Sequence, residues 1–459
     1  MLCQGQPQVV ISLAAALIIV WSIRLLFVHD GISTLLYHFE EPTQQQAAET
    51  FVRQAMNVEF PEPIDYRPIQ STCAATQFRP GLVFTCEGQH GGIGMVRDQI
   101  LKCVRYAIHG GGALVVPSMQ LRNAKDISDI ETEKEVPLDY LLDRQTFVNH
   151  LTEGCPGMRI YERIEDFPHY QSRAGEPLDL VGDQFEPNHP REGLEHPREW
   201  RRFFDEWLDK KNVTIRTEEP THVRIGQAFL EYPVRDDGPA FVHEYGKILS
   251  FRNDTRELAA KILYELKRRF ALPIDPARAI NPNAYFGAHL RLEKDAIDAW
   301  QPDEWRFSRQ KDQFEEHFQY IERMGLSVVY VASGNQTVVE LFDEELKKRV
   351  AASPGGETKS VAVVTKRDLL QGPDRKLLDE LTFDQHALVD FLMLFKASAF
   401  MGVAHSSFPW TVALRRHEMS KYTAYGNEGS DILRDEYSII MGMQKDYPEV
   451  EPFVYGLWP

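Results

Sequence analysis

A chain of 459 residues, 43% hydrophobic and 26% charged, has the composition of a globular protein with roughly two or three domains, which excludes a mini-protein and a largely disordered chain. Its formal net charge of −17, with no basic block, argues against nucleic acid as a partner. Five cysteines and no C-x-x-C pair exclude a disulfide-built scaffold and the usual zinc spacings.

Val9 to Ile23 is free of charge, and Leu25 to Val28 extends the apolar stretch beyond Arg24. This predicts a transmembrane signal-anchor over 9–28 behind a short cytoplasmic tail, 1–8. A cleaved signal peptide and a buried N-terminal helix fit the same segment. Residues 29–80 are polar and broken by Pro42, Pro61, Pro63 and Pro68, which predicts a stem. Sequons at Asn212, Asn253 and Asn335 fit a chain that enters the secretory lumen. There Cys73, Cys86, Cys103 and Cys155 could pair in three ways or stay as small buried residues.

Leu82 to Thr85 is strand-like, Gly91 to Gly94 reads as a turn, and Ile93, Val96, Ile100 and Val104 recur at helical spacing. Gly110 to Gly112 stop that helix before a second strand, Ala113 to Val116, completing a βαβ unit. Residues 160–225 are charged and rich in Pro and His, so they read as an insertion with one helix around Trp200 to Leu208. A second alternating block has strands at Tyr285–Leu292, Ser327–Ala332, Val361–Thr365 and Ala399–Val403, and a capping box at Thr382 and Gln385. The expected fold class is therefore α/β, with an N-terminal Rossmann-like domain over 81–275 and a C-terminal one over 276–459.

Three motifs lie where strands meet helices. Gly91, Gly92, Gly94 and Met95 form a turn whose glycines allow close backbone approach and whose helix start offers N–H groups to an anion, although a turn without a ligand uses the same residues. Arg97 replaces the last glycine of the dinucleotide fingerprint, and no Walker, G-x-S-x-G or H-E-x-x-H pattern occurs. Strand alternation over Gly287 to Glu293 puts His289, Arg291 and Glu293 on one face, where an arginine can clamp phosphate bidentately or simply pair with Glu293 on a surface strand. His405-Ser406-Ser407-Phe408-Pro409 opens a helix, so its hydroxyls and N–H groups can meet a phosphate or serve as an ordinary cap.

In this order the motifs resemble the GDP-fucose protein O-fucosyltransferase family, particularly its plant-like branch, through Gly91 to Arg97, the run His289 to Asp295, and Ser406 to Phe408 following Asp390. The resemblance implies a GT-B fold, with two Rossmann-like domains facing across a cleft. It implies transfer of fucose from GDP-fucose, with inversion, to a hydroxyl of a protein or glycan acceptor. No cofactor is implied beyond the donor and no metal held by a D-x-D motif, a spacing that Asp295-Ala-Ile-Asp298 does not have. Arg291 and His289 would face the leaving diphosphate, Asp390 the guanine, Ser406 to Phe408 the pyrophosphate and base, and Gly91 to Met95 the fucose. Relatives that modify folded modules carry Asn or Glu in that turn, whereas Gly91 and Met95 stand here, so either the base is one of Glu293, His90 and Asp98 or departure of GDP leads the transition state with little basic assistance. The implied location is the Golgi or endoplasmic reticulum membrane, single-pass type II, with the catalytic part luminal. A transferase for another nucleotide sugar and a non-catalytic GDP-sugar or glycan-binding protein are the alternatives.

Overall fold

The computed structural model describes residues 43–420, 434–442 and 456–459, apart from breaks at 124–125, 131, 133, 173–174, 187–193, 229–231, 302, 304 and 354–359. They belong to two units, Met1–Thr50 and Phe51–Pro459, and the second carries both five-stranded sheets and the cavity described below. The expected signal-anchor at 9–28 lies outside the described residues, among which no helix is long and apolar enough to cross a membrane.

The expected stem is corrected from residue 51 onward. Gln44–Met56 (α1) and Arg67–Ala74 (α2) are helices; Phe51, Ala55, Ile69 and Cys73 are buried, and Cys73 is bonded to Cys155. Pro68 breaks nothing, because it stands in the first turn of α2, where a missing N–H costs no helical bond.

Leu82–Cys86 (β1), Ile93–Gly110 (α3) and Ala113–Val115 (β2) form the expected βαβ unit, with the strands parallel and Val83 opposite Ala113. The chain leaves α3 through Gly111 at φ 66°, a left-handed position that glycine adopts without strain. Cys86 and Cys103 join β1 to α3. A hairpin of Ser118–Gln120 (β3) and Glu135–Pro137 (β4) and the helix Arg144–Gly154 (α4) follow.

The region 160–225 is not an insertion. It supplies Ile160–Tyr161 (β5), Leu178–Leu180 (β6), the expected helix as Trp200–Lys210 (α5), and Thr221–Ile225 (β7). The sheet order is β5-β2-β1-β7-β6, with β7 paired to β1 along its whole length. The polar residues that obscure β7 are satisfied across strands: the His222 ring bonds Thr85 Oγ1 at 2.8 Å, and Arg224 reaches Asp179. Two- and three-residue strands such as β5 and β6 leave no period in the sequence.

The second sheet is built from Phe286–His289 (β8), Val328–Ala332 (β9), Ala362–Val364 (β10), Ala399–Val403 (β11) and Ser438–Met441 (β12), in the order β10-β9-β8-β11-β12 and all parallel. Its main site-bearing helices are Lys294–Ala299 (α6), Gln336–Ala352 (α7), Phe383–Lys396 (α8) and Ser407–His417 (α9). The Thr382–Gln385 capping box opens α8 as expected, and Leu388, Phe391, Leu392 and Phe395 of that helix are buried in the core. The expected strand Tyr285–Leu292 stops at His289, because Gln313 takes over the ladder positions: its Oε1 accepts from the Arg291 N–H and its Nε2 donates to the Arg291 carbonyl, both at 3.1 Å.

Candidate active site

In a parallel α/β sheet the chain leaves neighbouring strands in opposite directions at one point, and a crevice opens beyond their carboxyl ends. In the second sheet that point lies between β8 and β11, beyond which stand His289 and His405 to Phe408. In the first it lies between β1 and β7, beyond which the Gly91–Gly94 turn enters α3. Both contribute to one cavity of about 650 Å³, lined by Gly92 to Met95 on one side and by residues of the second sheet's loops on the other.

The two helix starts meet closely. A Cβ on Gly94 would come within 3.0 Å of the Ser407 carbonyl oxygen and 3.1 Å of Thr411 Oγ1, so a larger residue would push α3 away from α9. Neither Gly92 nor Ser406 caps its helix through a side chain. The cavity therefore receives positive helix ends from two directions, an environment that favours an anion.

Arg291 is anchored by carboxylates. Nη1 donates to Glu293 Oε2 at 2.7 Å and to Asp295 Oδ1 at 2.9 Å, and Nη2 donates to Asp295 Oδ2 at 2.5 Å. Of the five guanidinium N–H groups this leaves Nε–H and one Nη2–H, which lie side by side as a fork. Burial raises the Asp295 carboxyl, but Arg291 outweighs it and holds the group below the usual range. His289 is neutral, its basicity driven far down by burial and by the nearby Arg291 charge; its ring lies against Phe408 with centroids 4.8 Å apart. Arg291 and Glu293 thus share a cavity with His289 because of a turn and a helix start, not because of strand alternation.

Asp390 also lines the cavity, with both oxygens engaged: Tyr330 donates to Oδ1 at 2.7 Å and Lys366 to Oδ2 at 2.5 Å. Burial pushes its carboxyl up while Lys366 pulls it down, with burial the stronger. Of the three bases suggested by sequence, His90 and Asp98 do not line the cavity; His90 Nδ1 contacts the Gly88 carbonyl, and Asp98 pairs with Lys102. Glu293 lines it, but Oε1 accepts from the Gly334 N–H at 2.6 Å and from Ser333 at 3.2 Å while Oε2 holds Arg291. Arg97, which breaks the dinucleotide fingerprint, donates to the Trp458 carbonyl at 2.8 Å and so ties α3 to the C-terminal residues.

Residues 82–419 match the GDP-fucose protein O-fucosyltransferase family. The chain belongs to that family. It is accordingly a fucosyltransferase that draws on GDP-fucose. No curated protein matches its sequence. Among solved structures it is similar to POFUT1 in complex with GDP, at 15% identity over 80% of this chain and 100% of that one, with a TM-score of 0.45. It is also similar to the fucosyltransferase NodZ from Bradyrhizobium, at 13% identity over 74% and 93% of the two chains (TM-score 0.36). A third is a point mutant of Arabidopsis thaliana FUT1 in complex with GDP, at 12% identity over 82% and 78% (TM-score 0.34).

Among the charged side chains that line this fucosyltransferase's cavity, the sequence missed Arg122, Lys366, Arg367 and Asp384. Asp384 stands in the first turn of α8, where an acidic residue is expected merely to complement the helix dipole. Lys366 follows Thr365, whose capping box with Asp368 is the visible local signal. Arg122 follows β3, in a stretch without period.

Proposed function

We propose that this fucosyltransferase adopts the GT-B arrangement, with its two sheets as separate Rossmann-like domains, and transfers fucose with inversion to a hydroxyl of a protein or glycan without a resident metal. The observation that carries this is the convergence of two helix starts and the free fork of Arg291 on one cavity. Placed there, the diphosphate of GDP-fucose meets N–H groups from Ser406 to Phe408 and the Arg291 fork, so charge growing on the leaving group is stabilised where it develops. The fucose then lies toward Gly91 to Met95 and the guanine toward Asp390. Single displacement is supported by the state of three of the four cavity carboxylates, Glu293, Asp295 and Asp390, each held by a cation and none presented as a nucleophile. The protein's own cations and helix ends supply the compensation that a metal would otherwise give. The half-buried Glu186 and the exposed Glu195 and His196, whose ligand atoms lie close together, do not line the cavity.

Calorimetry of the full chain with GDP, UDP and their sugars tests the donor: GDP should bind and UDP should not. The Asp390 carboxylate faces the paired N1–H and N2–H donors of guanine, with Lys366 beside it for O6, whereas uracil carries an acceptor, O2, where guanine has N2–H. Asp390→Asn should shrink the GDP-to-UDP preference by about 10- to 100-fold, the worth of one hydrogen bond to a charged group. An unchanged ratio in a folded variant removes Asp390 from the base site.

For location we propose the lumen of the endoplasmic reticulum or Golgi, with residues 9–28 as anchor. Asn212 and Asn253 are exposed, and glycosidase treatment of protein from a secretory host should remove glycans from both. Asn335 should carry none, because its side chain caps α7 by accepting from the Val338 N–H and donates to the Leu292 carbonyl at 3.4 Å. Unmodified Asn212 and Asn253 in such a host would overturn the luminal assignment.

A further inference from the structure

We infer, building on the donor site proposed above, that Asp384 takes the proton of the attacking hydroxyl and that Arg122 is the residue that positions it. Asp384 differs from the other three carboxylates of the cavity. Glu293, Asp295 and Asp390 accept hydrogen bonds on both oxygens. Asp384 is buried to 6% exposure and lines the same cavity, yet its nearest charged partner is Arg122 Nη1 at 3.7 Å, too long for a hydrogen bond. A largely buried carboxylate that makes no hydrogen bond, yet is open to a substrate space, is a proton acceptor waiting for a donor.

The surroundings agree. Arg122 comes from the loop after β3 and is the cation that faces Asp384; it also lies close enough to Asp295 on α6 to lower that carboxyl. Tyr140, on the turn before α4, faces the start of α8 but spends its hydroxyl on Thr382 at 2.7 Å. On the same helix His386 is kept neutral, its basicity lowered to about 4 by burial and by Lys366 and Arg367. Burial, opposed only by Arg122, pushes the Asp384 carboxyl up to about 6, so the group is ionised at neutral pH and basic enough to accept a proton. His289 also lies in the cavity, but its strongly reduced basicity suits a neutral wall better than a base.

The step balances as one displacement. The bond from the acceptor oxygen to C1 of fucose forms as the bond from C1 to the β-phosphate oxygen breaks. The electron pair departs on GDP, and the hydroxyl proton passes to the Asp384 carboxylate and then to solvent.

The test uses the full chain with GDP-fucose and water as the acceptor, read as released GDP across pH, with GDP affinity measured in parallel. Release by the unsubstituted protein should fall as pH drops through about 6. Asp384→Asn should lower release by about 10²- to 10⁴-fold and abolish that acid limb, while GDP affinity stays within about threefold. Asp384→Glu should restore part of the rate, which separates a lost base from a lost fold. Arg122→Met should move the acid limb to higher pH, because Arg122 pulls the Asp384 carboxyl down. The assignment of Asp384 is overturned by near-normal release from Asp384→Asn, by loss of GDP affinity in step with rate, or by no release from unsubstituted protein that binds GDP-fucose; an unmoved limb in Arg122→Met overturns the role of Arg122. Failure of the unsubstituted protein to prefer GDP over UDP strikes the donor site instead.

Discussion

Arg291→Lys should lower turnover of GDP-fucose by about 10²- to 10³-fold, far more than it weakens GDP binding, and should also lower thermal stability. The rate effect follows from the geometry of the guanidinium. Its end-on edge is fixed to Asp295, with Glu293 taking the outer hydrogen of Nη1, so Nε–H and Nη2–H remain as the fork for a leaving diphosphate. A lysine supplies one charge but no planar fork, and the interaction lost is strongest where charge develops, on the order of 2.7–4 kcal/mol for one preorganised donor. The stability effect arises because Arg291 is the shared partner of buried Glu293 and half-buried Asp295. Removing a partner entirely from a buried pair costs about 3–5 kcal/mol, and lysine, which keeps the charge, should recover part of it. Turnover, GDP affinity and melting temperature measured on one sample separate the two effects. Unchanged turnover with a lower melting temperature would leave Arg291 a purely structural ion-pair residue.

What the sequence made legible was the chemistry carried by runs of residues. The turn at Gly91, the run from His289 to Asp295 and the segment Ser406 to Phe408 are local, and each meets the cavity because it follows a strand next to a topological switch. The strand rule nevertheless joined His289, Arg291 and Glu293 for the wrong reason: Gln313, distant in sequence, ends the strand at His289 by bonding both backbone groups of Arg291. Partners that lie far apart were not legible at all. Lys366 and Asp390 are separated by 24 residues and Arg122 and Asp384 by many more, and neither pair leaves a periodic trace. The same limit hid β7, whose His222 and Arg224 look like loop residues until Thr85 and Asp179 are seen beside them. Polar residues in a central strand are affordable only when such partners exist, and sequence alone does not show the partners.

Replacing Cys73 and Cys155 together by serine should lower the melting temperature by roughly 5–10 °C while leaving GDP-fucose turnover at low temperature nearly unchanged. The bridge closes 82 residues of chain, and in the chain-entropy account a loop of that length stabilises the fold by about 4.5 kcal/mol at 25 °C, against about 3 kcal/mol for the 17-residue span of Cys86–Cys103. Turnover should survive because neither Cys73 nor Cys155 lines the cavity; the bridge joins α2 to the end of α4. What it secures is the segment once read as a stem: Ile69 and Cys73 are buried against the core, and the buried Glu59 carboxylate accepts from the Phe251 N–H at 2.9 Å. If that bridge opens, the segment 57–66 is left to Val58 and Ile64, which pack against the core, and to Phe60, whose ring lies 3.9 Å from the Arg415 guanidinium. The unsubstituted protein should lose more than this when heated with a thiol reductant, which opens both bridges, whereas the double serine variant should lose only the smaller share due to Cys86–Cys103. Equal melting temperatures for all three would mean the bridge contributes nothing. A loss of the expected size would also bear on location, because a fold that depends on two disulfides is stable where thiols are kept oxidised, as in the secretory lumen, and is weakened in a reducing cytosol.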